Sequence, residues 1–198
     1  MHLKELSIND SQAIADLHLK AFISFFLSSL GSKFLKIFYQ TIIKNPNSVA
    51  FGIFNGENLV AFSIGTNKKK GFYSKILIKS GLALLWAALP QLISKPQNIT
   101  RLFFSLKSNE LENVQIANSA CLLSICVDPE MGSKGFGKKV LRAFESKAFL
   151  FANTITLTTD ADDNQAVNSF YLSNGYLLIN VLYQSKRKMN LYYKNHEN

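Results

Sequence analysis

An apolar run, Ala120-Cys-Leu-Leu-Ser-Ile-Cys-Val127, stops at Asp128-Pro129 and gives way to Gly132-Ser-Lys-Gly-Phe-Gly137. Those glycines open a basic amphipathic stretch, Lys138-Lys-Val-Leu-Arg-Ala-Phe-Glu145. A strand that feeds a helix through glycines commits the chain to an α/β architecture. It also presents bare backbone N–H groups at the positive end of a helix dipole, a site made for an anion. Three readings of the turn stand side by side. Gly132 to Lys139 approaches a nucleotide phosphate loop, but Lys139 stands where a Ser or Thr would hold magnesium. A dinucleotide fingerprint lacks its third glycine, with Val140 in that place. A turn that merely starts a helix explains one or two of the glycines, but not three at this spacing.

The chain has 198 residues, enough for one domain with a sizeable core, and its 47% hydrophobic content with 16 Phe argues against disorder. Cys121 and Cys126 have opposite parity on one strand, so simple alternation sends them to opposite faces and a disulfide between them is not expected. No Cys/His cluster accompanies them, so no metal is expected. Met1-His-Leu-Lys-Glu-Leu has no apolar signal core, and the cytoplasm is the expected compartment. The formal charge of +9 calls for an anionic partner. Without a nucleic-acid motif, and with basic residues scattered apart from Lys68–Lys70 and Lys186–Lys188, nucleic acid is not the expected one.

Periodicity predicts the order β-α-α-β-β-(insert)-β-α-β-α-β-β. Leu3 to Ile8 reads as a strand. Asp10 or Ser11 caps a helix with Ile14, Leu17 and Phe22 on one side, and Gly31-Ser32 caps another carrying Phe34, Leu35, Phe38, Ile42 and Ile43. Ser48 to Phe54 and Asn58 to Thr66 form a hairpin around Asn55-Gly56-Glu57. Phe72 to Ile93 reads as a helix broken near Pro90, and Asn98 to Leu106 as a shorter one. The stretch Gly81 to Ile93 is too short to span a bilayer, for which about 20 apolar residues are needed. It reads either as a buried or lid helix or as an interfacial one, without stable membrane insertion. Phe136 to Phe151 is a helix with Val140, Leu141, Phe144 and Ala148 on one stripe. Thr154 to Thr159 is a strand, Ala166 to Ser173 a helix, and Tyr176 to Tyr192 a hairpin turning near Ser185-Lys186.

A second block, Asn164-Gln-Ala-Val-Asn-Ser-Phe-Tyr-Leu-Ser-Asn-Gly-Tyr176, follows the glycine turn about thirty residues later. With Gly135, Gly137 and the Val127-Asp-Pro129 turn, its Asn164, Ala166, Phe170-Tyr171 and Gly175-Tyr176 resemble the GNAT N-acetyltransferases, at the family spacing. The likeness is strong over about residues 118–183 and looser in the N-terminal helices and hairpin. One departure is Gly132, where the family carries Gln or Arg. The resemblance implies a single domain over 1–198 with a helical insert at about 68–118. It also implies a mixed, mostly antiparallel sheet with helices on both faces. Acetyl-coenzyme A would be the cosubstrate, held by Cys126, Val127, Gly132, Ser133, Lys134, Gly135, Phe136, Gly137, Lys138, Asn164 and Tyr171, with no metal.

The family's chemistry follows from such a site. The strand of Ile125 to Val127 is expected to splay from that of Ile155 to Thr159, leaving backbone groups for the pantetheine arm. A backbone N–H near Val127 would polarise the thioester carbonyl. Tyr171 stands at the family's general-acid position, to protonate the leaving thiolate; otherwise it is a core aromatic with a hydrogen-bonded hydroxyl. No carboxylate lies on Ala120 to Val127 to act as base. Asp160, Asp162 and Asp163 could serve, or the last two could cap the helix at Asn164. His18 is another candidate, and a water relay a third.

The implied acceptor is a primary amine of a small molecule. The pattern His18, Phe22, Leu30-Gly31, Phe34-Leu35 and Tyr39 resembles bacterial relatives from surface-sugar pathways, which points to an amino sugar. The insert is expected to shape an acceptor pocket with Phe72, Tyr73 and Trp86, or to form a homodimer contact. A non-catalytic coenzyme A-binding or membrane-associated module is the alternative function.

Overall fold

In the computed structural model the described residues are 1–23, 25–94, 118–132, 134–184 and 187–196. Seven strands form one sheet: β1 (His2–Glu5), β2 (Ser48–Asn55), β3 (Asn58–Thr66), β4 (Ala120–Val127), β5 (Thr154–Asp160), β6 (Leu177–Gln184) and β7 (Arg187–Asn195). Their order is β1-β2-β3-β4-β5-β7-β6. Every neighbouring pair is antiparallel except β4 and β5. Helices α1 (Ser11–Ala21), α2 (Ser32–Ile43) and α3 (Phe72–Ser94) gather on one face around Ile14, Leu35, Tyr39, Ile42 and Phe62. On the other face α4 (Phe136–Ala148) and α5 (Gln165–Ser173) pack over Leu122, Ile155 and Leu157. This is the mixed, mostly antiparallel sheet with helices on both faces that the sequence led us to expect.

Local choices explain the helices. Gly31, at φ 88°, turns the chain into α2, whose Leu35 and Ile42 are fully buried. The α4 stripe of Val140, Leu141, Phe144 and Ala148 is sealed as its spacing predicts. Asp10 precedes α1, but its carboxylate turns back to the N–H and hydroxyl of Ser7 and to Lys4 Nζ. Those bonds fold Ile8–Asp10 into a 3₁₀ turn, so β1 ends at Glu5 and does not run to Ile8.

Three other expectations are corrected, and one strand pairing was not anticipated. Pro90 does not break α3, which continues to Ser94. Its missing N–H costs the bond to the carbonyl of Trp86 on the exposed side, while buried Ala87, Ala88 and Leu92 hold the helix to its neighbours. The helix from Phe136 stops at Ala148, short of Phe151. The last strand, β7, inserts between β5 and β6 and leaves β6 at the edge. The β3–β4 register shifts between Ile64 and Gly65, so Leu123 is an extra residue on β4. Leu123 and Ser124 then both lie toward α1 and α2, and the parity argument for the cysteines loses its premise. Both cysteines are buried and lie about 16 Å apart by strand rise, too far for a disulfide between them. The helix expected at Asn98 to Leu106 and the turn at Ser185-Lys186 lie outside the described residues.

Candidate active site

Parallel pairing between β4 and β5 is confined to Ala120 with Ile155 and Cys121 with Thr156. Beyond that point the strands part, and the β4 edge from Leu122 onward has no ladder partner from β5. On the other edge, Asp128 donates its N–H to the Val60 carbonyl at 2.8 Å, and the register continues Ala61 with Val127 and Phe62 with Cys126. Antiparallel bonding alternates residue by residue, so Cys126 bonds toward β3 while the backbone groups of Val127 and Ile125 face the gap. The side chains sort the other way. Cys126 packs toward α1 and α2, where burial pushes its thiol pKa up. The side chain of Val127 lies against α4.

At the end of β4 the chain makes a 3₁₀ turn, Pro129–Met131, held by Asp128, whose carboxylate accepts from the Glu130 N–H. Lys20, near the end of α1, bridges to Asp128 at 2.9 Å and to Glu130 at 3.1 Å, bracing the turn against the first helix. Gly135, at φ 74°, is the N-cap of α4, and a Cβ there would meet nothing within 4 Å. The first α4 ladder bond runs from Lys139 N–H to Gly135 O, so the amides of Phe136, Gly137 and Lys138 are open at the helix start. Gly132 has φ −57°, which any residue adopts, and its Cβ direction is also uncrowded, the Pro129 carbonyl being 3.7 Å off. A Gln or Arg would therefore fit at this position. Lys134 leans on Met131 Sδ at 3.8 Å, and Ser133 lies outside the described residues.

Three segments meet at Gly137. A Cβ there would sit 3.5 Å from Val127 Cγ2 and 3.6 Å from the Phe170 ring, so the end of β4, the start of α4 and the middle of α5 lie together. Beside Phe170, the Tyr171 ring is buried among Phe170, Tyr176 and Tyr192. Its hydroxyl makes no hydrogen bond among the described residues, yet it is not one of the polar atoms sealed from solvent without a partner. Burial raises the Tyr171 pKa, so the phenol stays protonated through the neutral range.

Asn164 caps α5, but its side chain points backward, donating to Thr159 Oγ1 at 2.9 Å and the Asp160 carbonyl at 3.1 Å. It fastens α5 to the end of β5, and Asp162 and Asp163 do not cap the helix. Asp160 is engaged by the Arg187 guanidinium at 2.6 and 2.9 Å, a forked pair that does not leave it as a ready base. The same guanidinium lies 6.0 Å over the Phe25 ring, joining β7 to the α1–α2 connection.

His18 is buried and bonded through Nδ1 to the Tyr39 hydroxyl at 2.7 Å, which donates at 3.4 Å to Ser124 Oγ on β4. Its Nε2 is buried without a hydrogen-bond partner among the described residues. Desolvation lowers the His18 pKa to about 4, so the ring is neutral when folded. A neutral buried histidine stabilises the fold fully above its unfolded pKa of about 6.5, and that contribution falls away as pH drops toward 4. Urea unfolding should therefore lose up to about 3 kcal/mol over that window, a loss His18→Gln should remove. A pH dependence identical in both proteins would contradict the burial argument.

Ser124 and Asn168 were missed from the sequence, and Tyr39 was picked out only within the surface-sugar pattern. Asn168 donates to the Asp160 carbonyl and accepts from Tyr192 Oη and Asn190 Nδ2, each at 2.9–3.0 Å, locking α5 over β5 and β7. The i,i+4 pair Asn164 and Asn168, both near the start of a short helix, was its only legible sign. Phe22, Leu30, Phe34 and Leu35, which carry the surface-sugar resemblance, are core or core-packed side chains. Of the three insert aromatics, Phe72 is buried in the core and Trp86 is 74% exposed, so these two do not line one pocket; the Tyr73 side chain lies outside the described residues.

The sequence profile of the Acetyltransferase (GNAT) family matches residues 12–176. No curated protein matches the chain by sequence. Among solved structures, the chain is similar to the ribosomal-protein-S18-alanine N-acetyltransferase of Escherichia coli. That match has TM-score 0.59 and 14% identity, over 98% of this chain and 92% of that one. A GNAT-family protein from Desulfovibrio desulfuricans aligns with TM-score 0.64 at 9% identity, over 98% of each chain. The PaiA N-acetyltransferase of Thermoplasma acidophilum, solved with coenzyme A, aligns with TM-score 0.57 at 14% identity, again over 98% of each.

Proposed function

The chain belongs to the GNAT acetyltransferase family, and from that premise we propose that it transfers the acetyl group of acetyl-coenzyme A to a primary amine of a small molecule. The observation that carries this reading is the parting of β4 from β5 beside the open N-terminus of α4. The open β4 edge suits an extended amide-bearing arm, and the α4 amides suit a pyrophosphate. In this reading Val127 and Cys126 flank the arm, and Gly132 to Lys138 cradle the phosphates. The Val127 N–H donates to the thioester carbonyl, and the Tyr171 hydroxyl hands a proton to the departing sulfur. Asn164 acts by fixing α5. For the acceptor we propose an amino sugar, on the sequence resemblance around His18 and Tyr39. The reading takes 1–198 as one cytoplasmic domain with an insert at about 68–118.

A panel of amines tests it: nucleotide-linked amino sugars, amino acids and polyamines, each added to protein and acetyl-coenzyme A with release of free thiol followed. One member should raise thiol release well above the basal hydrolysis rate. The absence of a carboxylate on β4 favours a second reading, a coenzyme A-binding module without turnover. Binding by titration with no amine-dependent release would select it.

Gly135→Val should weaken coenzyme A binding, because a branched side chain would fill open space in front of the α4 amides. At φ 74° any Cβ also costs about 1–2 kcal/mol of backbone strain, so Gly135→Ala separates strain from bulk. Undiminished affinity in a folded valine variant would remove the phosphates from this turn.

A further inference from the structure

We propose that the solvent-facing side of α3 docks on an anionic membrane surface. Ile78, Leu82, Leu85, Trp86, Leu89 and Ile93 recur at helical spacing and all face solvent, with Ile78, Trp86 and Ile93 at 84%, 74% and 73% exposure. A continuous apolar stripe of this length on a soluble surface marks a contact site. By length and composition Ser74–Ser94 could cross a membrane, but its other side is committed. Phe72, Ile76, Leu84, Ala87, Ala88 and Leu92 are buried in the core shared with α1 and α2. Spanning would require tearing that side out of the core, whereas lying in the interface uses only the exposed side.

Charge selects the occupant. Lys75 and Lys79 are exposed at the N-terminal end of the stripe, one helical turn before Ile78 and Leu82, and Lys68 to Lys70 precede the helix. No Asp or Glu occurs between Glu57 and Glu110. Lysine stems can lie along the apolar stripe while their ammonium groups reach anionic headgroups. A second copy of this chain would bring the same lysines to the same face. Of charged residues, the chain's own 95–117 adds only Lys95, Arg101 and Lys107 before Glu110 and Glu112, so it brings little negative charge to the lysines. An anionic bilayer meets both the apolar stripe and the cationic end.

Trp86 is the single tryptophan and reports directly on this face. The full chain is mixed with vesicles of phosphatidylcholine alone or with added phosphatidylserine, and both sedimentation and Trp86 emission are read. We expect binding to the phosphatidylserine vesicles only, a blue shift, quenching by brominated acyl chains, and release at high salt. Lys75→Glu with Lys79→Glu should lower partitioning by about tenfold or more, and Ile78→Gln with Leu82→Gln by a similar factor, with far-UV circular dichroism unchanged. Failure to bind phosphatidylserine vesicles overturns the proposal. So does equal binding to both vesicle types that ignores the lysine changes. Trp86 emission already blue and shielded from acrylamide without lipid also overturns it. In that case sedimentation velocity tells a second copy (a dimer) from cover by residues 95–117 (a monomer). No acetyl transfer enters these readouts, so their outcome is separate from that of the amine panel.

Discussion

Tyr171→Phe should retain coenzyme A affinity and lose about 10²–10⁴ in turnover. The substitution deletes one oxygen and keeps the ring that packs against Phe170, Tyr176 and Tyr192. Because the hydroxyl has no hydrogen-bond partner among the described residues, its removal orphans nothing and should cost little stability. A purely structural tyrosine would spare the rate. The check is turnover under conditions where chemistry is slow relative to product release, alongside a coenzyme A titration. Unchanged turnover there would return Tyr171 to the core and move the proton source elsewhere.

Gly65→Ala should destabilise the fold by about 3 kcal/mol or more, at or above the upper end of ordinary core overpacking. A Cβ at Gly65 would lie 2.1 Å from the Cys121 carbonyl oxygen and 2.8 Å from the Phe144 ring. The carbonyl belongs to the last β4 residue paired with β5, and Phe144 is sealed under α4, so neither can yield cheaply. Relief requires β3 and β4 to separate at the Leu123 bulge, the point from which the β4 edge opens. Gly81→Ala on α3 is the contrast, since its Cβ would meet nothing within 4 Å. Helix propensity alone should then stabilise by about 0.5–1 kcal/mol. Urea denaturation of the two variants checks both signs. A Gly65→Ala protein as stable as wild type would contradict the register at the bulge.

Elements with strong local signals were legible. The β4 boundaries, the α4 stripe and the β2–β3 hairpin are written in spacing, because each buries its own periodic face. The glycine turn was legible too, since only a positive φ at Gly135 lets β4 deliver the chain into α4. What local pattern cannot carry is pairing across the sheet. The insertion of β7 between β5 and β6 and the extra residue Leu123 are decided by distant partners, and both escaped the reading. The parting of β4 from β5 was foreseen, whereas the side-chain partners around it were not. Strand alternation fixes where the Val127 N–H points, whereas the backward turn of Asn164 depends on Thr159 and the Asp160 carbonyl. The link from His18 through Tyr39 to Ser124 joins three elements and has no sequence period.

The most direct test of the account is a crystal structure of the chain with coenzyme A bound. The account predicts the pantetheine arm along Ile125 to Val127 in the gap between β4 and β5. The pyrophosphate should then lie against the amides of Gly135 to Lys138, with the sulfur end reaching toward Tyr171. Coenzyme A seated elsewhere on the sheet, or a gap closed by side chains with no affinity in solution, would contradict it.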